Sequence, residues 1–289
     1  MDEIQNVVSK YDASYIRAGF SNPSGVRTFA ATFYKDVAEI FDAITRVKNV
    51  DRNPTGFSLD DAPILGLLVR MWKLMKEITR YYEADNAEMI GLLDRAFLEA
   101  AVTAQYLMRG DLSVIRDYRN CSYRHHLHLL EEHRTGSPFF ETKAGRRLLS
   151  SIHAKLEFEG LTDADFEPQR RNRWRVGGKS FYDIFDEVHD RDLYPMSYGI
   201  MSESIHGSWN DSMDFCLTKN PDGTFSAFPF FQPADPRFVS PLLRFGVPVY
   251  RLWLARIECQ EESFDQLLAW VERMNSALLD KFDELFDGP

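Results

Sequence analysis

Two pairs of side chains in this sequence stand four residues apart, the spacing that places both members on one face of an α-helix. Ser202 and His206 form one pair, closed by Gly207, and Arg95 and Glu99 form the other. Positions four apart lie about 40° apart around a helix axis, so each pair can act together. These four groups suit acid/base chemistry at a phosphate. We predict that they form one polar pocket, without a metal or another cofactor.

Each pair also has a purely structural explanation. Arg95 and Glu99 have apolar neighbours in the sequence, so an internal salt bridge that orients two helices would account for them. The Ser202 hydroxyl can bond to the preceding helical turn, and His206 can cap the last carbonyl groups before the glycine. In this alternative the protein is a non-enzymatic helical module for binding or regulation, and the four polar residues fix its helix packing.

A second candidate site lies in the histidine-rich stretch that begins at Arg119 and Asn120. His126 follows Arg119 by seven positions, nearly two helical turns, so the two share a face. An arginine, a polar residue and then a histidine at this distance is similar to the ribonuclease motif of the HEPN superfamily. That resemblance implies that an imidazole moves a ribose hydroxyl proton while the guanidinium holds the phosphate. An exposed cationic helix face is one alternative. Another is a zinc site from the clustered histidines, His125, His126, His128 and His133.

A basic segment at residues 169–179 carries five positive side chains and no acidic one. We predict that four of them bind phosphate: Arg171, Arg173, Arg175 and Lys179. A solvated loop that pairs with acidic parts of the chain is the alternative. The net charge of -10 argues against a generally basic nucleic-acid surface, so contact with RNA or a nucleotide would have to be local.

Composition and length indicate a globular protein without a membrane span. The 289 residues are 44% hydrophobic and 27% charged, which suits one substantial domain. The most apolar stretch, residues 62–75, contains Arg70 and Lys73 and falls short of the ~20 residues that a span requires. The N-terminus lacks the features of a signal peptide, and three widely spaced cysteines indicate reduced thiols. We therefore predict a cytoplasmic protein that does not bind membranes.

The elements that must position the candidate residues are helices. Apolar residues at intervals of three and four predict long helices over residues 26–50, 63–82, 86–108, 111–133 and 139–158. Short connections between long helices indicate antiparallel neighbours. A short helix follows at 181–189, and another carries Ser202 and His206. From Pro241 we predict one or two closing helices, with a break or kink at Pro248.

Two β-compatible runs flank a strong turn signal at residues 220–223, which predicts one hairpin within residues 212–230. The predicted fold class is therefore all-α, an antiparallel helical bundle with a small β-hairpin. We predict a single domain over residues 1–289, with an irregular basic segment at 159–180.

The order of these motifs resembles an uncharacterised bacterial helical family, catalogued only as a domain of unknown function. The resemblance spans roughly residues 60–260 and implies an all-helical bundle without an assigned reaction. The motifs that carry it are Arg95-x-x-x-Glu99, then Trp174 with Gly177, then Tyr198 ahead of Ser202-x-x-x-His206-Gly207, and finally the hairpin.

The His206-Gly207 ending is also similar to the end of the HEPN motif, which commonly runs from Arg-Asn to His-Gly. No arginine stands five to seven positions before His206, so Arg95 would have to supply the cation from a neighbouring helix. The resemblance to HEPN proteins implies action on RNA or a nucleotide phosphate, a homodimer with sites shared across its interface, and a role in toxin or phage-defence systems.

Overall fold

The computed structural model describes residue 8, residues 10–162, residue 165 and residues 175–287. In this part of the chain helices predominate, and the sheet structure is one two-stranded hairpin. The predicted all-α fold with a small hairpin is confirmed. Among the described residues, no helix has both the length and the apolar character needed to cross a bilayer.

The helices follow one another through short connections. In chain order they are α1 (Ala13–Gly19), α2 (Pro23–Thr45), α3 (Ala62–Glu83), α4 (Ala87–Arg109), α5 (Leu112–Ser122), α6 (Arg124–Arg134), α7 (Lys143–Glu159), α8 (Phe181–Val188), α9 (Ile200–His206), α10 (Trp209–Phe215), α11 (Pro236–Arg256) and α12 (Glu262–Asp287). A 3₁₀ turn covers Pro138–Glu141, and a π-helical turn covers Pro195–Gly199.

The chain divides into two compact units. The larger unit comprises residues 1–109 and 185–289, and the smaller unit comprises residues 110–184. Whether the two fold as the single domain expected from the sequence stays a prediction.

The core of the larger unit is built where long amphipathic helices bury their apolar faces. Helix α4 packs against α3 and α11, while α2 packs against α3 and α12 against α11. Trp253 and Phe97 are fully buried, and Phe41 stacks on Tyr250 with 4.0 Å between ring centroids. Each buried aromatic or aliphatic side chain stabilises the fold by about 1.5–3 kcal/mol. This packing makes α4 a rigid support for the side chains on its remaining face.

The smaller unit has a much smaller core, formed between α6 and α7. Its buried apolar cluster consists of Leu127, Leu130, Ile152 and Leu156. The Thr142 hydroxyl caps α7 by accepting a hydrogen bond from the Gly145 N–H at 3.0 Å.

One predicted helix of the smaller unit is wrong as a single element. Residues 111–133 form two helices, α5 and α6, separated at Tyr123. The Tyr123 N–H bonds to the carbonyl of Asn120, three residues earlier, which tightens the last turn of α5 and ends it. The break lets the chain bury Cys121 on α5 and Leu127 on α6, which are not on one continuous helical stripe.

The hairpin is shorter than predicted. Strands β1 (Leu217–Lys219) and β2 (Phe225–Ala227) pair in antiparallel register, with Leu217 opposite Ala227. Residues 212–215, predicted as strand, belong to α10 because the Ser208 hydroxyl accepts from the Asp211 N–H at 3.0 Å and caps that helix. Trp209 of α10 packs edge-on against Phe225 of β2, with 5.6 Å between ring centroids, and remains 59% exposed.

Helix α11 runs through both Pro241 and Pro248. Of the break or kink predicted at Pro248, the break does not occur, and the kink stays a prediction. A proline inside a helix costs about 3 kcal/mol because it removes one hydrogen bond and crowds the preceding turn. Val247 and Val249, on either side of Pro248, are both buried. Burial of this helix on several faces offsets the cost of the proline.

Candidate functional site

The candidate site lies where α9 packs against α4 in the larger unit. Helix α4 carries Arg95 and Glu99, and the chain from the π-helical turn into α9 carries Tyr198, Ser202 and His206. The two helices approach closely at Gly91, where an added Cβ would lie 2.9 Å from the Ser204 Oγ. The absence of a side chain at that position is therefore what allows α9 to reach Arg95.

Arg95 is held by two partners that also contact each other. Its Nε donates to the Glu99 Oε1 at 3.1 Å, and its Nη2 donates to the Tyr198 hydroxyl. That hydroxyl in turn donates to the same Glu99 oxygen at 2.9 Å, and the guanidinium lies 4.4 Å from the centre of the Tyr198 ring. The hydrogen bonds and the cation–π contact fix the plane of the guanidinium.

His206 is the last residue of α9 and is exposed to solvent. Its Nε2 lies 3.5 Å from the Nη1 of Arg95, a contact in which an unprotonated nitrogen can accept an N–H of the guanidinium. Gly207 ends the helix in the left-handed region, with φ of 58°, which favours glycine. Arg95, Glu99, Tyr198 and His206 together are called the Arg95 cluster below.

Ser202 points to the backbone and not to the Arg95 cluster. Its Oγ donates to the carbonyl of Tyr198 at 2.5 Å, one helical turn earlier. This is the structural explanation that the sequence left open for the serine. The structure thus brings together three of the four predicted pocket residues and adds Tyr198, which the sequence marked only as part of a motif.

The charges of the cluster follow from its partial burial. The Arg95 side chain is 19% exposed and that of Glu99 is 42% exposed. Burial and the neighbouring Glu99 carboxylate raise the pKa of Tyr198 to about 12, so at neutral pH its hydroxyl remains a hydrogen-bond donor. Burial alone would lower the pKa of Arg95, but its hydrogen bond to Glu99 and the nearby Tyr198 outweigh burial and raise it. Arg95 is therefore a fixed cation.

The second predicted site, in the smaller unit, is organised around Glu159. Arg119 pairs with one oxygen of Glu159, and the Tyr123 hydroxyl donates to the other at 3.1 Å. The His126 ring lies against Tyr123, with 5.6 Å between centroids, and its Nδ1 is buried without a hydrogen-bond partner within the described chain. Burial, followed by the charge of Lys155, lowers the pKa of His126. Arg119 thus has a carboxylate partner in a largely buried place.

Asn120, the remaining residue of that predicted motif, contributes its backbone carbonyl to the turn at Tyr123. The neighbouring histidines are directed to different partners. The Nε2 of His128 lies 3.2 Å from Glu132, and the ring of His133 packs edge-on against Phe140. Over the described residues, no group of three or more His, Cys, Asp or Glu side chains could hold a metal ion.

Only part of the predicted phosphate-binding segment can be placed. Arg171, Arg173 and the adjacent Trp174 lie outside the described residues. The Nη1 of Arg175 donates to the Gly178 carbonyl at 3.1 Å within a tight turn that brings Val176 and Lys179 together. The pKa of Asp183 is lowered, first by hydrogen bonds from Ser180 and then by the charges of Arg175 and Lys179. These two cations therefore lie close to an acidic side chain.

A comparison with models of protein families matches residues 61–224 to DUF5677, described as a family of unknown function. The matched range contains the whole Arg95 cluster and also the Arg119, Tyr123 and Glu159 contacts of the smaller unit. No curated protein and no solved structure matches the chain. The predicted resemblance to a family of unknown function is confirmed, and the likeness to HEPN proteins stays a prediction.

Proposed function

We propose a function from the side chains of this chain itself, because it belongs to DUF5677, a family of unknown function. In this proposal the Arg95 cluster binds a phosphate of RNA or of a nucleotide and acts on it by metal-independent acid/base chemistry. The observation that carries the proposal is the approach of the His206 Nε2 to the Arg95 Nη1, 3.5 Å apart, at an exposed helix end.

The two groups have complementary roles in phosphate chemistry. Arg95 is a fixed cation with N–H groups beyond those used by Glu99 and Tyr198, so it can hold a phosphate oxygen and balance the charge that develops there. An oxygen of an incoming phosphate would accept a hydrogen bond from the Arg95 Nη1, in place of the His206 Nε2. The unprotonated Nε2 would then accept the proton of a ribose 2′-hydroxyl while that oxygen attacks phosphorus. The bond from phosphorus to the 5′-oxygen breaks, that oxygen leaves with a proton from water, and a 2′,3′-cyclic phosphate remains.

Glu99 and Tyr198 act as positioning residues in this scheme. The Glu99 carboxylate accepts hydrogen bonds from both Arg95 and Tyr198, at 3.1 and 2.9 Å, and so fixes the guanidinium before the substrate arrives. Fixed dipoles and charges lower a reaction barrier because they need no reorganisation during the reaction. Ser202 supports the same arrangement indirectly by holding the turn that carries Tyr198.

A second candidate is a non-enzymatic binding or regulatory module, in which the Arg95 cluster joins α4 to α9. It is favoured by one specific observation. Glu99 and Tyr198 already satisfy two of the three guanidinium nitrogens of Arg95, as expected of a structural arginine. In that case the cluster would stabilise the fold without touching a substrate.

The cellular setting belongs to the same proposal. A homodimer and a role in toxin or phage-defence systems rest on the resemblance to HEPN proteins. A cytoplasmic location is supported by Cys121, Cys216 and Cys259, which are all free, with Cys216 exposed.

Cleavage of a fluorescent single-stranded RNA by the intact protein, measured in the presence of EDTA, tests the function. We expect His206→Ala to lower the cleavage rate by about 10²- to 10⁴-fold, the usual contribution of a general base. Because His206 is exposed, its removal should leave the melting temperature within about 2 °C of the unaltered protein. Arg95→Ala should also abolish cleavage and should cost some stability, since it removes the cation that pairs with Glu99 and bonds to Tyr198.

Two further variants separate the candidate sites. His128→Ala removes another exposed histidine and should leave cleavage unchanged. Arg119→Ala should lower the melting temperature by several degrees, because it leaves the largely buried Glu159 carboxylate without its cation. If the unaltered protein cuts no RNA and Arg95→Ala only lowers stability, the nuclease proposal is wrong and the proposal of a binding or regulatory module is supported. If Arg119→Ala instead abolishes cleavage and leaves the melting temperature unchanged, the active site lies in the smaller unit.

A further inference from the structure

A cleft with a volume of about 480 Å³ opens in the larger unit next to the Arg95 cluster. Its walls come from α4, the π-helical turn, α9, α10 and α11, and none of the four cluster residues lines it. Pockets that bind small molecules typically measure about 300–1,000 Å³. The cleft, called the acidic cleft below, is therefore a separate site of suitable size for a small ligand.

One buried carboxyl group lines this cleft without a counter-ion. Asp94 is only 9% exposed, and its side chain accepts a hydrogen bond from the backbone N–H of Arg95. Across the described residues, no cationic side chain pairs with it. A buried carboxylate is costly unless a positive group or several hydrogen-bond donors compensate its charge. The structure thus leaves a carboxyl group whose ionised form a positive ligand would stabilise.

The other charged groups of the cleft point to the same kind of ligand. Three further carboxylates face it, from α9 and α10: Glu203, Asp211 and Asp214. Among the residues that the structure describes, the one cation that lines it is Arg237 of α11, whose Nη2 already pairs with Asp235 at 2.7 Å. The acidic groups therefore dominate the potential inside the cleft, which attracts cations and repels phosphates.

Apart from Ser197 and Ser204, the remaining lining is apolar. Phe215 of α10 and Phe238 of α11 contribute aromatic rings, and Ile200 and Met201 of α9 add aliphatic surface. Aromatic rings also attract ammonium groups that lie over their faces. A bare metal ion would gain nothing from these walls, whereas an organic cation would bury its hydrocarbon part against them.

We propose that the acidic cleft binds a small organic amine, with its ammonium group at Asp94 and its apolar body between Phe215 and Phe238. This ligand site is distinct from the phosphate site proposed for the Arg95 cluster, and its test is independent of RNA cleavage.

Binding should depend on pH through Asp94. Burial raises the pKa of Asp94 to about 8, so the carboxyl is protonated in most molecules at pH 7 and has to release its proton when the ammonium binds. Affinity should therefore rise by about fivefold from pH 7 to pH 8 and by about tenfold in all before it levels off near pH 9, as long as the amine stays protonated. The charged groups on the surrounding elements are Arg95, Glu203, Asp211, Asp214 and Arg237.

Calorimetric titration of the intact protein with 2-phenylethylamine and with 2-phenylethanol tests the proposal, since the two probes share one apolar body. At pH 8.5 we expect the amine to bind at least about tenfold more tightly than the alcohol. In buffers of different ionisation enthalpy at pH 7, the heat of amine binding should reveal proton release. Asp94→Asn should remove both the preference for the amine and the proton release.

Asp94→Asn should remain folded, because asparagine resembles the protonated carboxyl that burial already favours. As a matched control, Asp186→Asn removes one exposed charge on α8 and should keep the preference for the amine. Asp211→Asn, at another acidic position of the cleft, should lower the affinity for the amine by a few-fold. The proposal is overturned if neither probe binds, if both bind equally, or if Asp94→Asn retains the full preference.

Discussion

His189 shows how a single partly buried side chain can make the stability of this protein depend on pH. The Nε2 of His189 lies 3.0 Å from the amide nitrogen of Gln105, which also donates to the Phe245 carbonyl at 3.2 Å. An amide nitrogen only donates, so the Nε2 has to accept and the ring has to be neutral. Burial, followed by the charge of Arg109, lowers the pKa of His189 to about 4.

We therefore expect the folded protein to lose stability as the pH falls from about 6.5 towards 4. Above pH 6.5 the imidazole is neutral in both folded and unfolded chains and makes no difference. Below pH 6.5, His189 binds a proton in the unfolded chain but stays neutral in the folded chain until the pH approaches 4, and this difference favours unfolding. After allowance for solvent screening, the loss should be roughly 1–2 kcal/mol.

Urea unfolding at pH 7.0, 5.5 and 4.5 measures this effect. His189→Phe keeps an aromatic ring between Phe185 and Phe245 but cannot bind a proton, so its stability should fall less over the same range. An equal pH dependence in both proteins would show that other groups, and not His189, control acid unfolding.

Single side chains differ in how far the sequence predicts them. The pairing of Arg95 with Glu99 follows from helical spacing alone, and the structure has it. The contacts of Tyr198 depend on a π-helical turn and on the approach of two helices that are far apart in sequence, neither of which leaves a periodic pattern. For Ser202, spacing could not decide between a side-chain and a backbone partner.

The approach of α9 to α4 at Gly91 provides a test at the level of helices. An added Cβ would lie 2.9 Å from the Oγ and 3.4 Å from the Cβ of Ser204, so Gly91→Ala should push α9 outwards. We expect a loss of about 1 kcal/mol in the free energy of unfolding. The proposed cleavage activity should fall by about tenfold, because the contact between Arg95 and His206 spans the same two helices.

Unfolding and cleavage measurements on Gly91→Ala, and on the double variant with Ser204→Gly, check this steric explanation. The second change removes the crowded side chain and should restore most of the lost activity. Gly66→Ala is a matched control on α3, where an added Cβ meets nothing within 4 Å. It should be neutral or stabilising by up to about 1 kcal/mol. If both alanines behave alike, helix propensity and not crowding explains the effect.

The helices themselves were the most predictable part of the fold, because their buried stripes repeat at three and four residues. The departures occur where burial or capping outweighs local preference. Helix α11 passes through Pro248 because its neighbours are buried, and Ser208 caps α10 where the residues alone suit a strand. The sequence of one segment shows its local preference for helix or strand but not the burial or the capping contacts that can outweigh this preference.

Considered as a whole, the chain combines a unit with a large aromatic core and a unit whose main apolar cluster has four buried members. Local stability follows buried apolar contacts, so the smaller unit should open more often. In the intact protein we expect amides of α7 to exchange hydrogen at least about tenfold faster than amides of α11. Hydrogen exchange followed by mass spectrometry measures both helices in one experiment. Equal protection would support the single cooperative domain that the sequence predicts.

The exposed Trp209 on α10 has an optical consequence. Trp253 and Trp270 are buried in the core, so their indoles are shielded from water, whereas the indole of Trp209 is 59% exposed and contacts Phe225 of the hairpin. The same short helix supplies Asp211 and Asp214 to the acidic cleft. Trp209 thus contributes long-wavelength fluorescence from a helix that forms one wall of that cleft, and the protein carries its own reporter of events there without any attached dye.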